Sequence, residues 1–264
     1  KIAANPSPLY KPTVLLIFLF FNSLSIYASI TTMRKNPSIS IAIPAYNEEE
    51  NLKWVVKDSL KELPKYFKDF EIIIVDDGSK DKTGEIADDF AKRNNKVRVI
   101  HQVNGGYSKA MLTGIKAAKK EFVAYMPADG QFLISDMRHC FEVMKDNDLI
   151  LGYRGGRPDY TTRRVIFSYV YLTLLLILFN IKYMDVGWVN IWRTKEVQKL
   201  KLTAAGGIFI LTEIVVRFKK KGLKITEAPS YYRPRKTGEA KNAKFKVAFL
   251  TFLNALKLWL EIKF

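Results

Sequence analysis

A chain of 264 residues with 48% hydrophobic content can bury a sizeable core, which excludes a disordered segment or a small stapled module. The balance of 43 Lys+Arg against 26 Asp+Glu, a net charge of +17, points to a polyanionic partner: nucleic acid, an anionic membrane or a phosphorylated substrate. Cys140 is the only cysteine, which excludes an internal disulfide and a cysteine-built metal cage and suits a reducing compartment, with a buried thiol as the plain expectation.

Residues 13–30 carry no charge and are bounded by Lys11 and by Arg34 with Lys35. That length is about the minimum that crosses a bilayer, so a membrane anchor is expected there. Asn22, Ser23, Ser25 and Ser29 dilute its second half, which leaves a signal peptide or leader as the rival reading. From residue 38 strands and helices alternate. Ile39–Ile43 reads as a strand, and Leu52, Val55, Val56, Leu60 and Leu63 then recur at helical spacing, with Asn47 as N-cap and Glu50 as its N3 partner. Phe70–Val75 and Val97–Ile100 read as the next strands, with Ile86 and Phe90 marking a helix between them. Ala110, Ile115 and Ala118 mark another helix, followed by strands at Phe122–Tyr125 and Asp148–Leu151. This alternation predicts an α/β fold, a doubly wound and mostly parallel sheet flanked by helices, over about residues 38–153.

Beyond it Arg154, Arg157, Arg163 and Arg164 crowd together, and residues 165–181 then run without charge. The run is short for a membrane-spanning helix and fits one lying at a membrane interface, with a buried core helix as the alternative. From Phe245 onward Phe249, Phe252, Leu253, Leu256 and Leu260 share one helical face while Lys244, Lys246, Lys257 and Lys263 dot the chain. Such a helix lies on an anionic bilayer or packs on the domain. The chain thus divides into an N-terminal segment (1–37), a main domain (38–241) and an amphipathic C-terminal helix (242–264). The basic main domain favours the cytoplasmic face of a membrane.

Chemistry in open α/β sheets sits beyond the carboxyl ends of strands, so the strand exits carry the candidates. Pro44-Ala45-Tyr46-Asn47-Glu48 follows the first strand and Asp76-Asp77-Gly78-Ser79 the second. Two adjacent carboxylates there can accept hydrogen bonds from a base or a ribose, although Asp-Gly-Ser is equally a good turn and helix cap. The stretch 104–114 carries paired glycines ahead of a helix without the spacing of a phosphate-cradling P-loop. Asp129-Gly130-Gln131 leaves the Phe122–Tyr125 strand; taken alone it is an ordinary turn.

In this order the segments resemble the family 2 glycosyltransferases of the GT-A, Rossmann-like fold. Residues 41–48 look like that family's opening strand, residues 73–79 like its nucleotide-binding turn, and Pro127-Ala128-Asp129-Gly130-Gln131-Phe132 falls where its D-x-D motif belongs. The resemblance spans about residues 38–241 and is strongest to the polyprenyl-phosphate glycosyltransferases of the dolichyl-phosphate mannosyl- and glucosyltransferase type. Residues 105–114, Gly152-Tyr153-Arg154, Asp185-Val186 and residues 234–241 carry that closer likeness, and the Gln-x-x-Arg-Trp signature of processive polysaccharide synthases is not in this sequence.

The resemblance implies inverting transfer of one sugar from a nucleoside diphosphate sugar to a dolichyl or undecaprenyl phosphate among membrane lipids. It places Pro44, Ala45, Tyr46, Glu48, Asp76, Asp77 and Lys109 at the nucleotide, and Asp129 with Gln131 at a Mg²⁺ or Mn²⁺ ion on the donor diphosphate. Arg154, Arg163, Arg164, Arg233, Arg235 and Lys241 would gather round the lipid phosphate, since guanidinium forks match phosphate oxygens. Asp129, Arg154 and Arg235 would be catalytic, with Asp185 and Glu213 as further site positions. Nucleic acid is not an expected partner, because the basic residues flank apolar segments and no aromatic-basic RNA motif appears.

Three departures stand out. Pro127 replaces the first Asp of the D-x-D motif and cannot ligate metal, Ala240 replaces a common Ser, and residues 187–193 fit the family loosely. Pro127 also raises a second class of function, a catalytically degenerate homologue that binds nucleotide or lipid as a partner subunit.

Overall fold

The computed structural model describes residues 37–155, 160–202, 207, 209–233 and 245–263, all within one compact unit, Pro37–Phe264. The expected anchor at 13–30 lies outside the described residues. The elements in chain order are β1 (Ile39–Ala45), α1 (Glu49–Tyr66), β2 (Phe70–Asp76), α2 (Thr83–Arg93), β3 (Val97–His101), α3 (Tyr107–Ala117), β4 (Phe122–Tyr125), a 3₁₀ turn (Ile134–Met137) and α4 (Arg138–Glu142). They continue with β5 (Leu149–Arg154), α5 (Thr162–Phe179), β6 (Val189–Arg193), α6 (Thr194–Gln198), α7 (Phe209–Lys220), β7 (Ile225–Ser230) and α8 (Phe245–Lys263).

Every residue of β1, β2 and β4 is buried, as expected of parallel strands covered on both faces by helices. The sheet order is β3-β2-β1-β4-β6-β5-β7. From β1 the chain winds outward through β2 to β3 and then crosses back to β4 on the other side of β1, pairing Ile39 with both Phe70 and Phe122 in parallel register. The reversal makes the carboxyl ends of β1 and β4 a switch point, the crevice where open α/β sheets bind ligands.

The five expected strands are present, within three residues of their expected bounds, but the sheet is mixed. β6 is inserted antiparallel between β4 and β5, and β7 lies parallel to β5 at the sheet edge. Neither reads clearly in the sequence: β6 is five residues long, and β7 contains Pro229, which a strand tolerates at an edge. The helix start also differs from expectation. Glu48 rather than Asn47 occupies the N-cap of α1, while Asn47 takes a left-handed backbone, φ 54°, and uses its side chain elsewhere.

α5 begins at Thr161, whose hydroxyl accepts a hydrogen bond from the Arg164 amide, and ends at Asn180 in the left-handed conformation. Leu175 is buried and Leu174 and Leu178 pack on the core. Ile166, Val170 and Ile177, which share one face of the helix, are 55%, 61% and 73% exposed, so α5 is not a buried core helix. α8 packs against α5 and α7. Among the described residues no helix is long and apolar enough to cross a membrane.

α3 approaches β1 so closely that a Cβ on Gly114 would stand 2.7 Å from the Ala42 Cβ. Gly114→Ala is therefore expected to push α3 off the sheet and lower unfolding free energy by about 1–3 kcal/mol in a urea titration.

Candidate active site

The loops leaving β1 and β2 are stitched into one wall. Asn47 N donates to Ser79 Oγ (3.1 Å) and Lys80 N to Asn47 Oδ1 (2.9 Å). Glu48 N donates to Thr83 Oγ1 (2.8 Å), and Lys82 N to Glu49 Oε2 (3.0 Å). Pro44 and Ala45 are buried at the end of β1, whereas Tyr46 and Asn47 are exposed and Glu48 is half-buried.

Asp76 and Asp77 are both buried at the exit of β2 and both are engaged within the protein. Asp77 accepts from Gln102 Nε2 (2.6 Å), Gly105 N (2.9 Å) and Gly106 N (2.8 Å), so it holds the loop between β3 and α3 rather than facing open space. Asp76 accepts from Ser79 N (3.0 Å) and pairs with His101 Nδ1 (2.9 Å), whose Nε2 lies 3.1 Å from Asp88. Burial pushes the Asp76 pKa up, but the bonds from Ser79 and His101 outweigh it and hold the carboxyl below the ordinary range. Bonds to Asp76 and Asp88 push the His101 pKa up. Lys109 projects from α3 with its stem over Gly105. The resemblance implies both carboxylates at the nucleoside; in the structure Asp77 is hydrogen-bonded to the loop before α3 and Asp76 to Ser79 and His101.

Asp129 is half-buried after β4 and accepts from Gln131 N (3.1 Å) across a turn whose Gly130 has φ +67°. A Cβ on Gly130 would fall 2.2 Å from the Trp54 ring of α1, so only glycine fits both the backbone and the contact. The Tyr107 and Tyr125 rings meet edge to face, 6.1 Å between centroids, and Tyr125 donates its hydroxyl to Trp188 O (3.1 Å). Burial of their hydroxyls pushes both phenols above the ordinary pKa. Tyr46, Trp54 and Tyr107 are 39%, 37% and 37% exposed, offering aromatic faces at the strand exits. Among the described residues no three His, Cys, Asp or Glu side chains cluster as metal ligands. Asp129 and Gln131 offer one carboxylate and one amide, a set that suits a cation arriving with a diphosphate and not an all-protein cage.

On the β5 side, Arg154 is bidentate to Asp185 (2.6 and 3.1 Å) and donates from its third nitrogen to Tyr160 (3.0 Å). Its guanidinium lies 4.7 Å from the Trp188 ring centroid and 5.7 Å from that of Tyr232. Arg164 stacks on Tyr160 at 3.8 Å. Ring contacts run from Tyr107 through Tyr125, Phe132, Trp188 and Tyr232 to Tyr160, joining the Asp129 loop to the arginines.

Arg233, expected at a lipid phosphate, is instead bidentate to the buried Asp136 (2.6 and 2.8 Å), and its backbone N donates to Gln131 O (3.1 Å). It fastens the segment after β7 to the Asp129 loop. Glu213 is fully buried in α7 and paired with Arg217, which also reaches Glu261 of α8. Arg235, Lys241 and the Arg163 side chain lie outside the described residues. Trp54, Tyr107, Tyr125, Asp136 and Trp188 carry no local signal that gives them a role, and only the fold sets Trp54 against Gly130, Asp136 against Arg233, and Tyr107, Tyr125 and Trp188 in one line of rings.

Asp77→Ala is expected to cost about 1–3 kcal/mol, because it strips three donors of their acceptor, and to speed amide exchange at Gly105 and Gly106. The His101 bridge has a pH signature. Its raised pKa makes its stabilisation complete below the ordinary value of 6.5 and lost as pH climbs through the raised one. Asp76 contributes above its ordinary 3.8 and down to its lowered value. Thermal unfolding of His101→Gln should therefore show a larger deficit at about pH 6 than at about pH 9.

The family model for glycosyl transferase family 2 matches residues 40–204. The uncharacterized glycosyltransferase EpsJ of Bacillus subtilis is 39% identical over 128 residues, 48% of this chain and 36% of EpsJ, so the match spans little more than a third of that protein. Polyprenol monophosphomannose synthase of Mycolicibacterium smegmatis is 27% identical over 237 residues, 82% of this chain and 88% of that one. Among solved structures, glucosyl-3-phosphoglycerate synthase from Mycobacterium tuberculosis in complex with Mn²⁺, UDP and phosphoglyceric acid has a TM-score of 0.64 at 16% identity, covering 88% of this chain and 80% of that one. That likeness shows the GT-A fold. With the family match covering more than half of its length, the chain belongs to glycosyl transferase family 2.

Proposed function

We propose that this chain transfers one sugar from a nucleoside diphosphate sugar to a polyprenyl phosphate at the cytoplasmic face of a membrane, inverting the anomeric centre. The observation that carries this reading is the run of ring contacts from Tyr107 and Tyr125 through Phe132, just after the Asp129 turn, to Trp188, over whose ring the Arg154 guanidinium lies. A donor diphosphate at the Asp129 loop and an acceptor phosphate at the arginines would share one wall, and Arg164 at its end opens onto the exposed apolar face of α5. The polyprenol monophosphomannose synthase relative, aligned over most of both chains, supports the acceptor class.

The nucleoside lies against the stitched loops of β1 and β2, with Tyr46 and Tyr107 offering faces for stacking. A divalent cation on the donor diphosphate, Mg²⁺ or Mn²⁺, would offset charge on the leaving nucleoside diphosphate, and Asp129 and Gln131 are the residues to hold it. Pro127 offers no ligand where the family has its first Asp, so the remaining ligands would come from outside the chain. A lipid phosphate, with a second pKa of about 6, is already largely dianionic and needs no base to attack. Asp185 and Tyr160 fix the Arg154 fork, so the chain's work is alignment and charge compensation. The exposed apolar faces of α5 and α8 rest on the bilayer.

The test is a screen of radiolabelled UDP- and GDP-sugars on a short polyprenyl phosphate, scored for lipid-linked product. Asp129→Asn should remain folded and lose about 100-fold or more of the turnover. Unchanged turnover removes Asp129 from the mechanism. Nucleotide binding without turnover on any sugar favours the degenerate homologue that Pro127 brings to mind.

A further inference from the structure

The carboxyl ends of α5, α7 and α8 converge around a cleft of about 390 Å³ whose apolar walls include Ile177, Val216, Trp259 and Ile262. Lys219, Lys220 and Lys263 line it, and no Asp or Glu among the described residues does. Lys219 Nζ donates to Asn180 O, Lys220 Nζ donates to Ile262 O (2.9 Å), and Lys263 Nζ stands 4.6 Å from the Trp259 ring centroid. Part of this arrangement is ordinary helix capping, since lysines favour the negative ends of helix dipoles. Capping does not use the cluster up. An ammonium group has three donors, each helix end supplies only about half a unit of negative charge, and burial together with the charge of Lys182 already lowers the Lys219 pKa. The cleft thus combines apolar side chains with three lysines and shares Ile177 with the exposed stripe of α5.

We propose that this cleft binds the headgroup phosphate of an anionic phospholipid, with Lys219, Lys220 and Lys263 around the phosphate and the acyl chains along α5 and α8. The site rests on the reading that the α5 and α8 face lies on a bilayer, and it adds a chemical preference to that reading. α5 is about 27 Å long at 1.5 Å per residue, and Arg164 stands at its other end. A lipid held in the cleft therefore fixes the helix at the end remote from the acceptor arginines and sets how the active site meets the membrane.

Sedimentation of the full chain with vesicles of phosphatidylcholine, with and without phosphatidylglycerol, tests this. The paired substitution Lys220→Gln with Lys263→Gln removes two charges while an amide can still donate to the Ile262 carbonyl. A control pair, Lys61→Gln with Lys92→Gln, removes the same charge from α1 and α2. The cleft pair is expected to weaken binding to phosphatidylglycerol vesicles by about 25-fold, about fivefold per lysine, with the control pair near wild type. Lys263→Gln alone, at a side chain that lies over the Trp259 ring, should take about fivefold and guards against a folding defect in the pair. Equal effects of cleft and control pairs overturn the site and leave the membrane reading standing. Failure of the wild type to bind vesicles of either composition overturns both.

Discussion

The Asp77 carboxylate is the contact on which the donor side depends. It reaches from the end of β2 to the Gln102 side chain and two glycine amides, and so ties the third strand's exit to the second's. α3 begins at the residue after those amides, and its first side chain, Tyr107, packs edge-on against Tyr125, which donates to Trp188 O. A loop rich in glycine loses much backbone freedom on ordering, and a buried carboxylate with three donors is the interaction that compensates for it. His101 performs a lesser version of the same task on Asp76, with a proton as the adjustable part.

The acceptor side is organised by the opposite economy of charge. Arg154 and Arg233 look in the sequence like a phosphate-binding cluster, yet each is matched by a buried acid, Asp185 and Asp136. A guanidinium already locked by a carboxylate and by aromatic rings is rigid, which is what alignment of a second anion requires. The Arg233–Asp136 pair also fastens the segment after β7 to the loop bearing Gln131. The Asp129 loop is thus held from three directions: by β4, by the Trp54 ring and by this ion pair.

Much of this was legible in the residues because parallel strands and strand-exit turns write themselves in short, local patterns. Runs such as Ile72–Val75 and the ordered motifs at 44–48, 76–79 and 127–132 identify the sheet and the family without long-range information. What stayed hidden was of longer range. β6 sits between β4 and β5 although it follows both in the chain, and nothing in Val189–Arg193 declares its neighbours. Nor does a carboxylate announce whether it faces a ligand or a backbone amide: Asp77 and Asp129 look alike in sequence, and only the path of residues 102–106 separates their roles. Asn47 failed as a cap for the same reason, since its side chain is drawn to Lys80 from a loop 33 residues away.

The inserted strand has a consequence for the reaction that the site residues alone do not reveal. β4 and β5 point the same way with β6 between them, so their carboxyl ends, bearing the Asp129 loop and Arg154, stand two strand spacings apart, about 10 Å. In the proposed transfer both phosphates meet at one anomeric carbon, the attacking oxygen about 3 Å from it, so the two substrates and the Arg154 side chain would have to close the width of β6 between the exits. The antiparallel strand thus sets the span that the bound anions have to cover.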